Sequence, residues 1–256
     1  MPLMNGRTVA APMLATSDDH LCASRLLSAV QPADREHIRP HLMPRLLRRG
    51  QILFEAGEDV ETTYFPCRGT MASLLVISSD GREVEAASIG HEGAVGGIVS
   101  AGHKPAYARA VVQIGGPAFS IETARLEETK GRSPAFHDLF SRYADALLAQ
   151  MMQSVACNAL HSVEARCSRW LLSTQDRVAV SPIPLTQEAL AEMLGVQRTT
   201  VTAVIKTLQS RGLIRYGRGR VEILNRRGLE DTACECYESI ENHFDLLLPT
   251  VNGRPR

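Results

Sequence analysis

The sequence lacks both the long apolar segment of a membrane protein and the charge imbalance of a wholly basic or acidic one. No apolar run approaches the ~20 residues that a transmembrane helix needs, and 28 basic residues balance 28 acidic ones. Residues 1–19 hold a single arginine, Arg7, and Pro12 interrupts their only apolar stretch, so we expect a flexible tail and not a signal peptide. A cytoplasmic protein without a membrane partner is expected, with room in 256 residues for two modest domains.

Cysteines at the usual metal-ligand spacing are also lacking. The six cysteines include no C-x2-C pair, and a single residue separates Cys234 from Cys236, closer than zinc sites usually require. The N-terminus holds no group of cysteines for an iron–sulfur cluster. We therefore expect no metal and no cofactor. A redox-sensing cysteine and haem ligation by His91 or His103 stay open as alternatives.

Catalytic motifs are absent from the sequence as well. It contains no H-E-x-x-H, no nucleophile–base grouping and no glycine-rich phosphate loop before a helix. The chain is therefore predicted not to be an enzyme, and the function is to be found in binding.

Residues 185–224 have the pattern of a helix-turn-helix followed by a β-hairpin wing. Thr186 is a good N-cap for a first helix, and Gly195 permits the left-handed backbone of a tight turn after it. A second helix is predicted from about Gln197 to Ser210. Two short β-type runs around residues 217–220 complete the wing.

Positive charge is concentrated in this C-terminal module. Residues 182–228 contain eight Arg or Lys and only three acids, so the segment carries +5 while the whole chain is neutral. A local basic surface on a neutral protein is typical of a DNA-binding module. Double-stranded DNA is therefore the predicted partner.

Upstream of this module, the pattern changes from strands to helices. Short β-type runs between residues 51 and 121 are separated by glycines, including a hairpin turn at Asp80-Gly81, which indicates an antiparallel barrel or jelly roll. Short helices are predicted before it, at residues 20–30 and 33–42. The predicted fold class is α+β: an N-terminal antiparallel β-barrel or jelly roll, a long central dimerisation helix and a C-terminal winged helix-turn-helix.

The central helix is predicted to begin at Ser133, an N-cap followed by Pro134. Apolar residues then recur in a 4-3-4 rhythm, which indicates the seam of a two-helix homodimer. The alternative is a helix packed on its own barrel. The predicted interface residues are Phe136, Phe140, Tyr143, Leu147 and Met151. Trp170, in a following helix over residues 162–175, is expected to be a core anchor.

This order of parts resembles the Crp/Fnr family of bacterial transcription regulators over about residues 20–228. The motifs that carry the resemblance are Leu185–Thr202, Gly50–Glu58 and Val163–Leu172. The resemblance implies a homodimer on a palindromic operator, a barrel that senses a signal, and RNA polymerase as a further partner. We divide the chain into a flexible tail (1–19), a cyclic-nucleotide-binding-like sensor barrel (20–130), a dimerisation helix (131–160), a winged helix-turn-helix (161–228) and a C-terminal amphipathic helix with its tail (229–256). That last helix is expected to pack on the wing domain or the partner subunit, with a regulatory latch as the alternative.

The recognition residues follow from chemistry and from the resemblance. Arg198, near the start of its helix, is expected to read guanine through O6 and N7, and the family places a base-contacting arginine there in one branch. The family's next contact is usually Glu, where this chain has Thr199, and Ala203 replaces a later Arg, so the preferred sequence should differ. The predicted DNA contacts are Thr186, Gln187, Arg198, Thr199, Thr202, Lys206, Arg218 and Arg220.

The sensor departs from the cyclic-nucleotide-binding members of the family. Those members use a Gly-Glu step and an Arg-Ser pair, but here Gly97 follows Gly96, and Ala106-Tyr107 stands at the Arg-Ser position. The candidate ligand-binding residues are Gly96, Gly97 and Arg109. We expect no cyclic-nucleotide pocket of the usual kind, and the effector stays open. The alternatives are a cyclic-nucleotide-responsive regulator of the same family and a ligand-sensing module that acts on a protein partner.

Overall fold

A computed structural model describes residues 23–96 and 105–248. The predicted tail over residues 1–19 and the ligand candidate Gly97 lie outside these residues. Of the helices in the described ranges, none is long and apolar enough to cross a bilayer.

The N-terminal part consists of short helices followed by two antiparallel sheets. The helices are α1 (Arg25–Ser28) and α2 (Pro32–Ile38), with a 3-10 turn at Arg39–His41. The strands are β1 (Met43–Leu47), β2 (Ile52–Phe54), β3 (Thr62–Pro66), β4 (Met71–Ile77), β5 (Glu83–Ile89), β6 (Arg109–Ile114) and β7 (Gly116–Glu122). They form sheets of order β1-β7-β3 and β2-β6-β4-β5. The predicted antiparallel β architecture is confirmed, with β1 as a strand that the sequence pattern had not indicated.

The inner faces of the two sheets share a small apolar core. Leu47, Val112 and Ala118 are buried together there and come from both sheets. The predicted turn at Asp80-Gly81 joins β4 to β5, and Gly81 has a φ of +83°, a conformation that favours glycine. Half-buried and buried residues alternate along β6, as expected for a strand whose two faces differ in burial.

The long central helix begins as predicted. After α3 (Thr123–Arg132), α4 runs over Pro134–Leu160. The Ser133 hydroxyl accepts a hydrogen bond from the Phe136 amide at 3.2 Å, so Ser133 is the N-cap and Pro134 stands at the first helical position.

The predicted dimer stripe on α4 faces the interior of its own chain. Phe136, Phe140, Tyr143 and Leu147 are 1–4% exposed, and Met151 packs against a buried cluster with Leu147. Phe140 lies edge-on to Phe65 of β3 with ring centroids 6.3 Å apart. Phe136, Phe140, Tyr143 and Leu147 complete the core of the N-terminal part, as in the alternative of a helix packed on its own barrel, so these four side chains are not available to a partner.

A second apolar stripe on α4 is exposed to solvent. The exposed fractions of Leu148, Met152 and Val155 are 54%, 59% and 71%. Their spacing of four and three residues places them on one face, and the exposed residues Ser141, Asp145 and Ala159 continue it at the same rhythm. The face that a second copy of the chain can reach is therefore this one, displaced from the predicted stripe.

The C-terminal part begins with α5 (Val163–Val178). Its remaining elements are β8 (Ile183–Pro184), α6 (Gln187–Leu194), α7 (Arg198–Ser210), β9 (Ile214–Gly217), β10 (Arg220–Ile223), α8 (Arg226–Glu230) and α9 (Cys236–Leu247). Trp170 is 4% exposed, and its indole N–H donates to Glu85 of β5 at 3.0 Å. The predicted core anchor is confirmed, and it also joins the two parts of the chain. The C-terminal segment, predicted as one amphipathic helix, forms two helices, α8 and α9, and α9 packs on α4.

A buried polar network holds the N-terminal part, the central helix and α5 together. Arg177 of α5 is 4% exposed and donates to Glu92 and to the Gln150 side-chain oxygen, both at 3.0 Å. Glu92 also accepts from the Gly90 amide at 3.0 Å. A Cβ at Gly90 would lie 2.5 Å from the Cβ of Arg177, so this loop approaches α5 more closely than a larger residue allows.

The environment of Arg177 also affects Glu241 of α9. Burial raises the pKa of Glu241 from 4.5 to about 7, although the positive charge of Arg177 opposes the shift. Because the folded pKa exceeds the unfolded one, the stability that this carboxyl contributes is present below pH 4.5 and is lost as the pH rises to about 7.

Replacing Glu241 by glutamine is therefore expected to remove this pH dependence. At pH 8 the variant should be more stable than wild type by about 1–3 kcal/mol, and near pH 4.5 the two should unfold alike. Urea unfolding across this pH range measures the difference. Glu238→Gln, an exposed change on the same helix, is the control. Parallel stability curves for wild type and Glu241→Gln would contradict the assignment.

Candidate nucleic-acid interface

The helix-turn-helix is built from α6 and α7. The Thr186 hydroxyl accepts a hydrogen bond from the Ala189 amide at 3.2 Å and so caps α6. Gly195 ends that helix with φ +63°, the left-handed conformation of a tight turn. Helix α7 then buries Val201, Ile205 and Leu208. Its opposite face is left for contact with another molecule.

The wing is a β-hairpin with a two-residue turn. In the sheet of order β8-β10-β9, Gly217 pairs with Arg220 across the turn. Arg218 and Gly219 have φ values of +51° and +69°, as a type I′ turn requires at both central positions. Arg218 thus stands exposed at the tip of the wing.

The predicted base-reading residues lie on the outer face of α7. Arg198, Thr199 and Lys206 are all exposed. The Arg198 guanidinium pairs with Glu188 of α6 at 2.9 Å, with 66% and 52% of the two side chains exposed. An ion pair this exposed is weak. It orients Arg198 in the free protein, and breaking it costs little free energy when the guanidinium binds another partner.

Thr202 and Gln187 are hydrogen-bonded to each other. The Thr202 hydroxyl lies 2.7 Å from the Gln187 side-chain oxygen and 3.0 Å from the Arg198 carbonyl oxygen. Both side chains are half-buried. In the free protein, this hydrogen bond positions the start of α7 relative to α6. The direct DNA contacts predicted for the two side chains would replace it.

The cations of the module fall into two groups. Arg198, Arg211, Arg215 and Arg226 are engaged by acids, and Arg226 donates to both oxygens of Asp176, at 2.8 and 3.0 Å. Within residues 23–96 and 105–248 the other group makes no ion pair. This group consists of Lys206, Arg218, Arg220 and Arg227. The cations free to bind phosphate are thus fewer than the charge count of the sequence suggests.

One further cation reaches the module from the N-terminal part. Arg49, in the turn between β1 and β2, lies with its Nη2 3.5 Å from the Thr186 hydroxyl oxygen. The Leu185 amide donates to the Gly219 carbonyl at 2.8 Å, so the wing turn adjoins the same place. Arg49 is exposed. No local sequence signal marks it, because its position depends on packing between the two parts of the chain.

The sensor residues predicted to hold a ligand are engaged by protein. Arg109 donates to Glu55 at 2.7 Å and also pairs with Glu83. Gly96 has φ +89°, and a Cβ there would lie 2.7 Å from a methyl carbon of Val60, which accounts for the glycine by packing alone. Two carboxylates beside Arg109 disfavour a phosphate at that guanidinium.

Comparison with known proteins agrees with this architecture. Residues 165–232 match the family model of the Crp-like helix-turn-helix domain. No curated protein sequence matches the chain. FixK2 of Bradyrhizobium japonicum is similar in structure, with a TM-score of 0.66 and 18% identity over 75% of this chain and 98% of its own.

Two further solved structures have the same fold. A putative regulator of the Crp/Fnr family from Eubacterium rectale has a TM-score of 0.61 and 17% identity, over 82% of this chain and 98% of its own. The c-di-GMP-responsive global regulator CLP of Xanthomonas campestris has a TM-score of 0.61 and 18% identity, over 75% of this chain and 99% of its own.

Proposed function

We propose that this chain, whose residues 165–232 are a Crp-like helix-turn-helix domain, is a transcription regulator that binds a palindromic operator as a homodimer. The observation that carries the proposal is the exposed face of α7 with Arg198, Thr199 and Lys206, beside a wing tipped by Arg218. A helix of this kind enters the major groove, where an arginine distinguishes guanine by two hydrogen bonds. The protein would act in the cytoplasm and contact RNA polymerase from its operator.

The homodimer is proposed to form along the exposed stripe Leu148, Met152 and Val155. Apolar side chains at this spacing pack as the seam of two parallel helices. A dyad along α4 would present two copies of α7 to successive major grooves, roughly 34 Å apart. Continuity of the apolar stripe over about two turns of one helix favours a second copy of the chain as its occupant.

Phosphate contacts are proposed for Lys206, Arg218 and Arg220, with Arg49 as an addition from the sensor. Each is exposed, and such contacts give affinity without sequence information. The N-terminus of α6, at Thr186, adjoins the wing turn and offers amide groups to a phosphate. Thr202 and Gln187 are proposed to support α7 in the free protein and to contact DNA after their mutual hydrogen bond opens.

Replacing Arg198 and Lys206 separately by alanine is expected to separate base reading from phosphate binding. Arg198→Ala should weaken binding to the preferred sequence by about 1–3 kcal/mol for each half-site, roughly 5- to 150-fold per half-site, and relax the preference at one position of each half-site. Lys206→Ala should weaken binding to all sequences alike and reduce the salt slope by about 2, one for each protomer of the dimer. Fluorescence anisotropy over a salt series measures both.

The matched control is Arg211→Ala, which removes the same charge at the end of α7 from an arginine already paired with Glu164. It should leave sequence preference intact. Equal loss of preference in all three variants would contradict the assignment. A DNA affinity independent of salt would instead favour a signalling module that acts on a protein partner.

A further inference from the structure

Four side chains capable of binding a metal meet at the hinge between the central helix and α5. They are Cys157 in the last turn of α4, His161 immediately after that helix, and Cys234 and Cys236 at the start of α9. Their ligand atoms all lie within 4.8 Å of one another. All three cysteines are buried. Long-range packing brings them together, so spacing along the sequence had argued against a metal.

We propose that Cys157, His161, Cys234 and Cys236 form a mononuclear zinc site that joins the end of α4 to the start of α9. Three thiolates and one imidazole are a common donor set of structural Zn²⁺ sites, which are tetrahedral and closed to solvent. On binding, each thiol gives its proton to solvent and each ligand atom forms one bond to the ion. This proposal does not depend on the function proposed above.

The distances fit one ion held by four ligands. Zn–S bonds of ~2.3 Å in a tetrahedron place neighbouring sulfurs roughly 3.8 Å apart. The Cys157 and Cys234 sulfurs are 3.4 Å apart, and the Cys236 sulfur lies 3.5 Å from Nδ1 of His161. A four-iron cluster binds its ligands at four separate irons and needs a wider arrangement.

The surrounding hydrogen bonds are those of a metal site. His161 turns Nδ1 toward the thiols, while its Nε2 lies 3.1 Å from the Glu235 carboxylate. A carboxylate on the second ring nitrogen orients a metal-binding histidine and raises its basicity. The Gln153 amide donates to the Cys236 sulfur at 3.0 Å. A disulfide between Cys157 and Cys234 would leave His161, Cys236 and Glu235 without a role.

Positive charge lies beside the cluster. Arg169 is close enough to interact electrostatically with the Cys157 sulfur. Arg166 also lies close enough to interact with the sulfurs of Cys157 and Cys234. Zn²⁺ with three thiolates carries one net negative charge, which these guanidinium groups offset. Thiolates are the form that binds metals.

The position of the site suggests what the ion does. Cys157 and His161 lie at the start of the connection from α4 to α5, and Cys234 and Cys236 follow the wing domain. The ion would therefore fix the DNA-binding part to the central helix. Cys157 lies two residues after Val155, on another side of α4 from the exposed stripe, so the site is compatible with a homodimer along that stripe.

The test is the metal content of the full-length protein purified under reducing conditions. Wild type is expected to retain about one zinc per chain, and the double variant Cys157→Ala/Cys234→Ala at least roughly tenfold less. Cys167→Ala, which removes a buried cysteine outside the cluster, is the control and should keep the wild-type content. Mass spectrometry of the dissolved metal gives the stoichiometry.

A second measurement avoids dependence on how the double variant folds. Cobalt(II) added to metal-free, reduced wild type should give the absorption bands of tetrahedral thiolate coordination, and zinc should abolish them. Glu235→Gln should weaken zinc binding roughly 10- to 100-fold in competition with a chelating indicator. Wild type that binds zinc and cobalt no better than the double variant would overturn the proposal. So would a Cys157–Cys234 disulfide in protein kept under reductant.

Discussion

Replacing Leu148 and Met152 together by glutamate is expected to give a monomer that binds its operator at least roughly 100-fold more weakly than wild type. These side chains are 54% and 59% exposed in the single chain, so the change leaves its own core intact. Burial of an apolar side chain of this size contributes about 1.5–3 kcal/mol. Two such residues from each protomer thus dominate a seam of two helices, and opposed glutamates would repel across it.

Analytical ultracentrifugation measures the oligomeric state of the variant, and fluorescence anisotropy measures its affinity for DNA. The matched control is Leu246→Glu, the same substitution at a leucine that is 79% exposed on α9. The control should remain dimeric and bind DNA as wild type does. A double variant that stays dimeric would place the interface elsewhere on the chain, and a monomer with undiminished affinity would show that one copy of α7 suffices.

Removing the positive charge of Arg177 is expected to have the largest effect on stability. Arg177→Met leaves Glu92, which is 7% exposed, without its cationic partner in a buried site. Breaking such a pair costs about 3–5 kcal/mol, because the remaining charge stays buried and uncompensated. The loss should spread beyond one part of the chain, since Arg177 also binds Gln150 of α4.

Urea unfolding measures the loss, and a double-mutant cycle assigns it. Glu92→Gln combined with Arg177→Met should cost less than the sum of the two single changes, because neither charge is then left alone. Asp80→Asn, in a surface pair with Arg82, is the control and should leave the midpoint almost unchanged. A cost for Arg177→Met no greater than that of the control would contradict the role of the network.

Local signals in the sequence were sufficient to predict the helix-turn-helix and its wing. Thr186 caps α6 through a bond within its own turn, and Gly195 and Gly219 occupy left-handed positions that their neighbours in sequence define. Such features depend on a few consecutive residues, so the printed order of amino acids is enough to find them.

The central helix shows where this reasoning fails. Helix α4 has two apolar stripes, one through Phe140 and Leu147 and another through Leu148 and Met152. Both repeat at helical spacing, and periodicity does not say which one meets the sheets of the same chain. Only the packing of α4 against β3 and β5 decides between them.

The cluster of three cysteines and one histidine and the ion pairs of the arginines could not be predicted from the sequence for the same reason. Cys157 and His161 stand four residues apart on one helical face, which was the available signal, but Cys234 and Cys236 join them from 73 or more residues away. Likewise, Asp176 neutralises Arg226 across the fold. Contacts of this range depend on the tertiary structure.

The most direct test of the proposed function is selection of sequences by the purified protein from randomised duplex DNA. The account predicts enrichment of a palindrome with two half-sites centred about one helical turn apart. Arg198→Ala should lose the preference at one position of each half-site. Retained DNA without a common sequence, from a protein shown to be folded and dimeric, would contradict the claim that α7 reads an operator.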